Sequence, residues 1–459
     1  MRPPLIRGPQ RSSIARQQER GVTIALVALA IFSIIAMAGL SIDVGTLYQA
    51  NAEAQRAADA AALAAARTLS TSGMTGDPTN LSGDWSLACS AATQVAQTVA
   101  SQNPVGGAPP ATVAVTFTSG DQKSDCTADS AVSFGVNPTV TVQVTQTNLP
   151  TFFARIWGRS GNTVGATATA EAFNPSNSGA FSTSGNIVPV QPRCVKPMII
   201  PNRDPDNSTT FVTLATGTIT TGGILSSTNT TGVIGESFSL FADCYIYGSG
   251  DCYYAATHPP QANGPTLPPP NLDYLPGAPP SNSVAVPSCA TANAYQAAIA
   301  GCDQTTQYQC GVQYSALSNP NTIDLAENPN GVNGDTATAA ACLINQNNGQ
   351  DSIDESVYPY QIKAGSGNPL NVSGTVITNS NSIVTLPIYD DTQYTTNLAA
   401  NSPITIVGFL QVFIQNVSTT NGSLAVTVMN VAACGNNVSS STQPVYGSSP
   451  VPVRLITPP

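Results

Sequence analysis

Residues 21–69 have the sequence GVTIALVALAIFSIIAMAGLSIDVGTLYQANAEAQRAADAAALAAARTL. The first part of this stretch, residues 21–42, contains no charged side chain. A helix rises ~1.5 Å per residue, so this run would extend roughly 33 Å, close to the ~30 Å apolar thickness of a bilayer. Because lipid offers the backbone no hydrogen-bond partner, a helix is the simple way to cross. We therefore predict a transmembrane helix at residues 21–42, ending before Asp43.

The sequence after Asp43 predicts that the same helix continues beyond the membrane. Eleven alanines lie between Gly45 and Ser70, and no proline interrupts them. Alanine is the strongest helix former, so residues 43–70 are predicted to be an Ala-rich helical extension. The alanine face has two interpretations. It could be a solvated helix surface, or it could pack closely against this chain or a partner protein, because small side chains let backbones approach.

The charges that flank the apolar run predict its orientation. Positive charge resists translocation, so residues 1–20 are predicted to be a basic cytoplasmic arm and the rest of the chain to lie outside. A cleaved signal peptide is the alternative, because the small-x-small sequence at residues 36–38 could be a cleavage site. The continuation of the run to Ile42 favours a retained anchor. The arm contains Arg2, Arg7, Arg11, Arg16 and Arg20, offset only by Glu19.

Two further segments accompany the apolar run: GLSIDVG at residues 39–45 and AADAAALAAA at residues 57–66. Together the three resemble the N-terminal module of TadG-like proteins, which belong to the bacterial tight-adherence (Flp pilus) assembly machinery. The resemblance implies a single-pass inner-membrane structural component with pilus-assembly or envelope partners, no catalytic residues and no cofactor. The positions that carry it are Gly39, Asp43, Val44, Gly45, Tyr48, Ala58, Asp59 and Leu63.

Motifs for metal binding and nucleotide hydrolysis are missing from the sequence. Some TadG-like proteins carry a von Willebrand A domain with a metal-binding D-x-S-x-S loop, but this sequence has no D-x-S-x-S, so we predict no metal site. It also lacks the GxxxxGK phosphate-binding loop, so the protein is not expected to fuel assembly itself.

Composition indicates an exported β-rich protein and argues against nucleic-acid binding. Charged residues make up only 9% of the chain, against ~25% in an ordinary soluble protein. The formal net charge is −10, and after residue 210 the only basic residues are Lys363 and Arg454. Nucleic-acid binding needs a basic patch, so we exclude nucleic acid as a partner.

All ten cysteines lie beyond the apolar run, which predicts disulfides in an oxidising compartment. Cys244 and Cys252, and likewise Cys302 and Cys310, are close enough in sequence to close small loops, but the sequence leaves the connectivity open. Zinc is a poor alternative, because the chain has one histidine and no C-x-x-C motif.

The rest of the chain predicts an α+β fold. Residues 70–83, rich in Ser, Thr, Gly and Asn, are predicted to be a linker. Residues 84–173 are predicted to form a small pilin-like α/β unit. Its helix would cover residues 84–102, its strands residues 111–119, 139–147 and 162–173, and a second short helix residues 149–158.

Residues 186–459 are predicted to be a β-rich exported domain with long loops. Within it, residues 186–202 contain too many prolines for a central strand. Residues 258–281 are predicted to be a proline-rich strap in polyproline II conformation. Two later strands are expected to form a hairpin around Asn421-Gly422.

Candidate catalytic groups are few. The single histidine, His258, directly precedes Pro259-Pro260 and is interpreted as a loop residue, not part of a catalytic triad. The acidic clusters at Asp351, Asp354, Asp390 and Asp391 could support an envelope hydrolase or hold Ca²⁺. They lack EF-hand spacing and are better explained as solvated acidic loops.

Three hypotheses follow. The first is a membrane-anchored structural component of a pilus system. The second is a secreted or surface adhesin, released by signal peptidase after Ala38. The third is a hydrolase that uses the acidic clusters.

Overall fold

The computed structural model describes most of the chain between residues 14 and 456. The described residues are 14–76, 82–118, 126, 137–151, 153, 158, 161–174, 190–206, 209–215, 217–220, 224–225, 230, 232–243, 271–279, 283–285, 289–303, 322–326, 331–370, 372–393, 403–434, 445–447 and 449–456. The chain divides into two compact units. The first unit consists of Met1–Ala58, Ala100–Val113 and Gln143–Ala166; the second consists of Asp59–Val99, Ala114–Val142 and Thr167–Pro459.

The fold is α+β, as predicted: two long helices come first, and two shorter helices interrupt the strands that follow. The helices are α1 Ile14–Thr71, α2 Ser82–Ser101, α3 Ala294–Ala300 and α4 Val332–Leu343. The strands are β1 Thr112–Thr118, β2 Thr139–Leu149, β3 Asn162–Ala172, β4 Val190–Pro192, β5 Met198–Pro201, β6 Val212–Thr213, β7 Thr218–Ile219, β8 Ser237–Ala242, β9 Asn271–Pro276, β10 Ser283–Ala285, β11 Gly301–Asp303, β12 Thr322–Asp324, β13 Ser352–Asp354, β14 Gln361–Lys363, β15 Val376–Ile377, β16 Ile383–Tyr389, β17 Pro403–Val417, β18 Leu424–Ala433, β19 Val445–Gly447 and β20 Val453–Ile456.

Helix α1 is one continuous helix across the apolar run and the Ala-rich extension. Among the described residues it is the one helix long and apolar enough to cross a membrane. The large apolar side chains between Val22 and Ile42 are 51–71% exposed on every side of the helix. Water disfavours such a surface, so a lipid environment is the one that suits this part of α1.

The alanine face of α1 is buried within the chain, so the interpretation as a solvated helix surface is wrong. The buried positions recur every three or four residues, which places them on one side of the helix. They are Ala50, Ala54, Ala57, Ala58, Ala61, Ala62, Ala65, Ala66 and Leu69, all at most 3% exposed.

The end of α1 is fixed by hydrogen bonds inside the second unit, where the sequence predicted the start of a linker. The Ser70 hydroxyl donates to the carbonyl of Val451 at 2.7 Å. The Asn430 amide of β18 donates to the Ser70 carbonyl and to the Thr75 hydroxyl. Ser70, Ser72 and Thr75 are all buried, so residues 70–75 are part of the packed structure.

A four-stranded sheet has the order β1-β2-β3-β20. The predicted alternation in its first strands is confirmed, because Val140, Val142 and Val144 of β2 are buried at every second position. Helix α2 also forms as predicted. Its Trp85 meets Phe117 of β1 edge to face, with ring centroids 5.6 Å apart. The predicted short helix at residues 149–158 lies largely outside the described residues.

The second sheet has the order β12-β17-β16-β5-β9-β8-β18, and β18 pairs in turn with β17. These pairings close a ring of six strands, with β12 added beside the start of β17. The long β17 makes this possible, because one of its edges pairs with β16 and the other with β18 and β12. The predicted hairpin is confirmed: β17 and β18 are antiparallel, and Gly422 in the connection has a φ of +71°.

Two predictions about proline-rich segments are wrong. Residues 186–202 contain β5, which is one of the six strands of the ring and pairs with β16 on one edge and β9 on the other. This position is possible because Pro197 precedes the short strand and Pro201 is its last residue, which leaves the amides of residues 198–200 to the ladder. The predicted polyproline II strap includes β9, which pairs with β5 and β8. Residues 258–270 and 280–281 of that segment lie outside the described residues.

Disulfides form as predicted, but Cys302 does not pair with the nearby Cys310. The described bonds are Cys89–Cys126, Cys194–Cys302 and Cys289–Cys342, with Cα–Cα distances of 5.4, 4.1 and 5.8 Å. Because Cys302 is bonded to Cys194, the alternative Cys302–Cys310 loop is excluded. Cys244, Cys252 and Cys310 lie outside the described residues.

Candidate functional site at the junction of anchor and head

Asp43 marks the end of the apolar run and is the first charged residue after it. Its side chain is nearly buried, with 4% of the residue exposed. The backbone N–H of Phe153 donates to both carboxylate oxygens, at 3.0 and 3.3 Å. A buried carboxylate is stable only when its charge is hydrogen-bonded. Asp43 therefore holds the chain at Phe153 against α1, and both residues belong to the first unit.

Gly39 lies one helical turn before Asp43 on the same face of α1. A Cβ built at Gly39 would lie 2.3 Å from Cγ of Phe153, far inside the contact distance of two carbon atoms. The absence of a side chain thus lets the Phe153 ring rest on the helix backbone. Gly39 and Asp43 act together, because one makes room for the ring and the other binds the amide of the same residue.

A second contact in the first unit joins α1 to the loop after α2. The backbone N–H of Gly106 donates to the Glu53 carboxylate at 2.8 Å, and the Gln49 amide donates to the same side chain at 3.0 Å. These hydrogen bonds, the one from Gly106 first, lower the pKa of Glu53 below its ordinary value of 4.5. Gly106 has a φ of +62°, a conformation that favours glycine.

The remaining motif positions divide between buried and exposed faces. Val44 and Tyr48 are 41% and 74% exposed, and a Cβ built at Gly45 would meet no atom within 4 Å. Ala58 is fully buried, whereas Asp59 and Leu63 are half-buried. The structure thus brings Gly39 and Asp43 together at one site and leaves Val44, Gly45 and Tyr48 outside it.

Sequence reasoning missed three participants in these contacts: Phe153, Glu53 and Gly106. In both contacts the donor is a backbone N–H of a residue outside α1, and every residue except proline has such a group. Glycine at position 106 was the available signal, because a glycine in a loop can mark a positive φ.

With this geometry established, comparison with known proteins gives one result. Residues 21–68 match the family described as putative Flp pilus-assembly TadE/G-like. The match confirms the resemblance for the apolar run and the Ala-rich extension, and it supports involvement in Flp pilus assembly. It includes Gly39, Asp43 and Glu53, but only about a tenth of the chain. No curated protein and no solved structure matches the chain.

The acidic residues of the hydrolase hypothesis have structural partners. The Asp351 carboxylate accepts hydrogen bonds from the Gly365 amide, the Asn368 side chain and the Ser380 hydroxyl. It borders a cavity of about 140 Å³ that is lined largely by Asn and Ser side chains. Because these donors already occupy the carboxylate, it is poorly placed to act as a general base.

The other three carboxylates are likewise engaged. Asp354 forms an ion pair with Lys363 at 2.7 Å, and this contact lowers the pKa of Asp354 to about 2. Asp391 pairs with Arg203 at 3.4 Å, and Asp390 accepts hydrogen bonds from the amide and hydroxyl of Thr392. Within the described residues, no group of three or more His, Cys, Asp or Glu could hold a metal ion. His258 lies outside the described residues.

Glu236 in the second unit is the carboxyl group with the clearest expected pH dependence. Burial raises its pKa from 4.5 to about 9, and the negative charges of Asp204 and Asp206 act in the same direction. The folded chain therefore binds this proton more tightly than the unfolded chain. Its stabilising effect is complete below about pH 4.5 and is lost as the pH rises towards about 9.

We accordingly expect Glu236→Gln to raise the melting temperature at about pH 8 and to change it little near pH 4.5. Thermal unfolding of the full-length protein in detergent at the two pH values measures this difference. An equal effect of the substitution at both pH values would contradict the prediction.

Proposed function

We propose that this protein is a non-catalytic, membrane-anchored component of a tight-adherence (Flp) pilus assembly system. Its N-terminal arm would remain in the cytoplasm of a bacterial cell, and α1 would cross the inner membrane. The chain that follows α1, residues 72–459, would lie outside; we call it the head. The observation that carries the proposal is the match of residues 21–68 to the TadE/G-like family, over a helix whose apolar side chains are exposed. The disulfides agree with an oxidising compartment for the head.

The role we propose is that of a tether that fixes the head at the membrane for contact with pilus or envelope proteins. Asp43 and Gly39 support this role, because they hold the chain at Phe153 directly against the outer end of the apolar run. The partners would be other proteins of the pilus system, and no catalytic group is required.

Complementation of a deletion strain tests both parts of the proposal. We expect deletion of the gene to abolish surface pili, measured by shearing and immunoblotting of the pilin, and the full-length chain to restore them. A chain in which residues 1–38 are replaced by a cleavable signal peptide should fail to restore pili. Asp43→Leu should lower pilus yield more than Asp43→Asn, because asparagine keeps an acceptor oxygen for the Phe153 amide.

The outcomes separate the hypotheses. Normal piliation in the deletion strain would contradict a pilus role. Restoration by the released head would contradict the tether and favour the secreted adhesin. Fractionation and intact mass of the expressed protein give an independent measure, because a soluble product beginning at Gly39 would show cleavage. Protease treatment of spheroplasts should digest the head and leave the N-terminal arm if the orientation is as proposed.

A further inference from the structure

The contact between Phe153 and Gly39 also indicates how deep Phe153 lies in the membrane that α1 would cross. We propose that the chain at Phe153, which belongs to the first unit, rests on the outer surface of the bilayer, with the side chain of Phe153 in the lipid interface. This inference rests on the membrane anchoring in the proposed function, and it adds a lipid contact at a residue outside α1. The partner is the outer leaflet of the membrane that α1 crosses.

The first argument is depth. Gly39 lies 18 residues beyond Gly21, or ~27 Å along a helix, and the apolar core of a bilayer is ~30 Å thick. The Phe153 ring rests on the helix at Gly39, so it lies at the outer boundary of the hydrocarbon. Tilting of α1 would move this level deeper, not outward. The chain at Phe153 therefore packs on α1 at the level where the hydrocarbon ends.

The second argument is the surface around this contact. Leu40 and Ile42 are 59% and 51% exposed, so no other part of the described chain covers their faces of α1. These side chains are apolar and lie at the same level as Phe153. A membrane that covers them must also reach Phe153, whose side chain is only partly buried by the protein.

The third argument is that the polar groups at this level are satisfied by the protein itself. An unpaired amide or carboxylate is costly near lipid, where no water replaces the missing hydrogen bond. The Phe153 amide donates to the Asp43 carboxylate, which lowers both costs. The pair thereby allows backbone of the head to lie at the edge of the hydrocarbon.

The position of Tyr48 agrees with this placement. Tyr48 is 74% exposed and lies five residues beyond Asp43, or ~7.5 Å further along α1, at the level of the lipid headgroups. Exposed tyrosines are enriched at that level.

Fluorescence quenching by brominated lipids measures the proposed depth directly. The full-length chain would be placed in phosphatidylcholine vesicles with bromines at defined acyl-chain positions, with Trp85→Phe and Trp157→Phe removing the native signals. We expect Phe153→Trp to emit at short wavelength and to lose fluorescence most strongly to bromines near the headgroups. Leu29→Trp should be quenched by the deepest bromines. Ala52→Trp, ~20 Å beyond Gly39 on an exposed face of α1, should not be quenched.

Each result decides between the alternatives. An unquenched Phe153→Trp variant beside a quenched Leu29→Trp variant would overturn the lipid contact and leave the anchor intact. If the Leu29→Trp variant were also unquenched, the membrane anchoring in the proposed function would fail as well. Leu40→Trp provides a further variant that leaves Phe153 and its contact with Gly39 unchanged. Because Leu40 lies within the apolar run, quenching of the Leu40→Trp variant by acyl-chain bromines would support only the depth argument, whereas its absence would overturn the inference even if Phe153→Trp did not fold.

Discussion

Replacing both Cys194 and Cys302 with alanine is expected to lower the free energy of unfolding by about 4–5 kcal/mol. The two cysteines are 108 residues apart in sequence, so their bond removes a large amount of conformational freedom from the unfolded chain. Cys302 belongs to β11, and Cys194 lies four residues before β5 of the closed ring. The bond therefore joins the ring to the segment around α3. Denaturant unfolding of the full-length protein in detergent, without reducing agent, measures the loss.

Two comparisons make this prediction specific to the bond. Cys194→Ala alone should destabilise the protein about as much as the double replacement, because either change removes the crosslink. A much milder single replacement would contradict the Cys194–Cys302 pairing. The Cys89→Ala, Cys126→Ala double replacement provides a matched control, because its shorter loop of 37 residues should cost about 1 kcal/mol less.

The anchor and its extension were the parts of the fold most readily predicted from the sequence. A long run without charge and an alanine-rich continuation constrain the backbone locally, without reference to any other segment. The alternation of Val140, Val142 and Val144 is also local, since it depends only on the period of a strand. Helix α1 and strand β2 accordingly form where they were predicted.

Long-range pairing was not predictable in the same way. Nothing in the sequence of β20 indicates that it pairs with β3, almost 300 residues earlier. Strands β5 and β9 contain or adjoin prolines and were assigned to non-strand structure. They form because the ring supplies partners on both edges, and this tertiary pairing outweighs their low strand propensity.

The candidate site likewise combines residues that the sequence could identify with a partner that it could not. Gly39 and Asp43 could be selected from the sequence because they belong to the segment that resembles the TadG-like N-terminal module. Their contact residue Phe153 could not, because it contributes a backbone amide and a ring edge from 110 positions away. The disulfide partners of Cys194 and Cys289 also remained open, because many connectivities fit ten cysteines.

Ala62→Leu is expected to lower the free energy of unfolding by about 1–3 kcal/mol, despite the similar helix propensities of the two residues. Ala62 is fully buried on the face of α1 that packs within the chain. Leucine would add three carbon atoms where the packing leaves no space, so the backbone or neighbouring side chains must move. Thermal unfolding of the full-length protein in detergent measures the change.

The matched control is Ala52→Leu, which makes the same chemical change on an exposed face of α1. It should alter stability by no more than about 0.5 kcal/mol. Equal effects of the two substitutions would mean that the alanines serve only to form the helix. A large effect at Ala62 alone would instead assign them to close packing, because a helix former with a longer side chain would then be excluded from that face. In that case, the alanine repeat encodes the packing of α1 as well as its helical conformation.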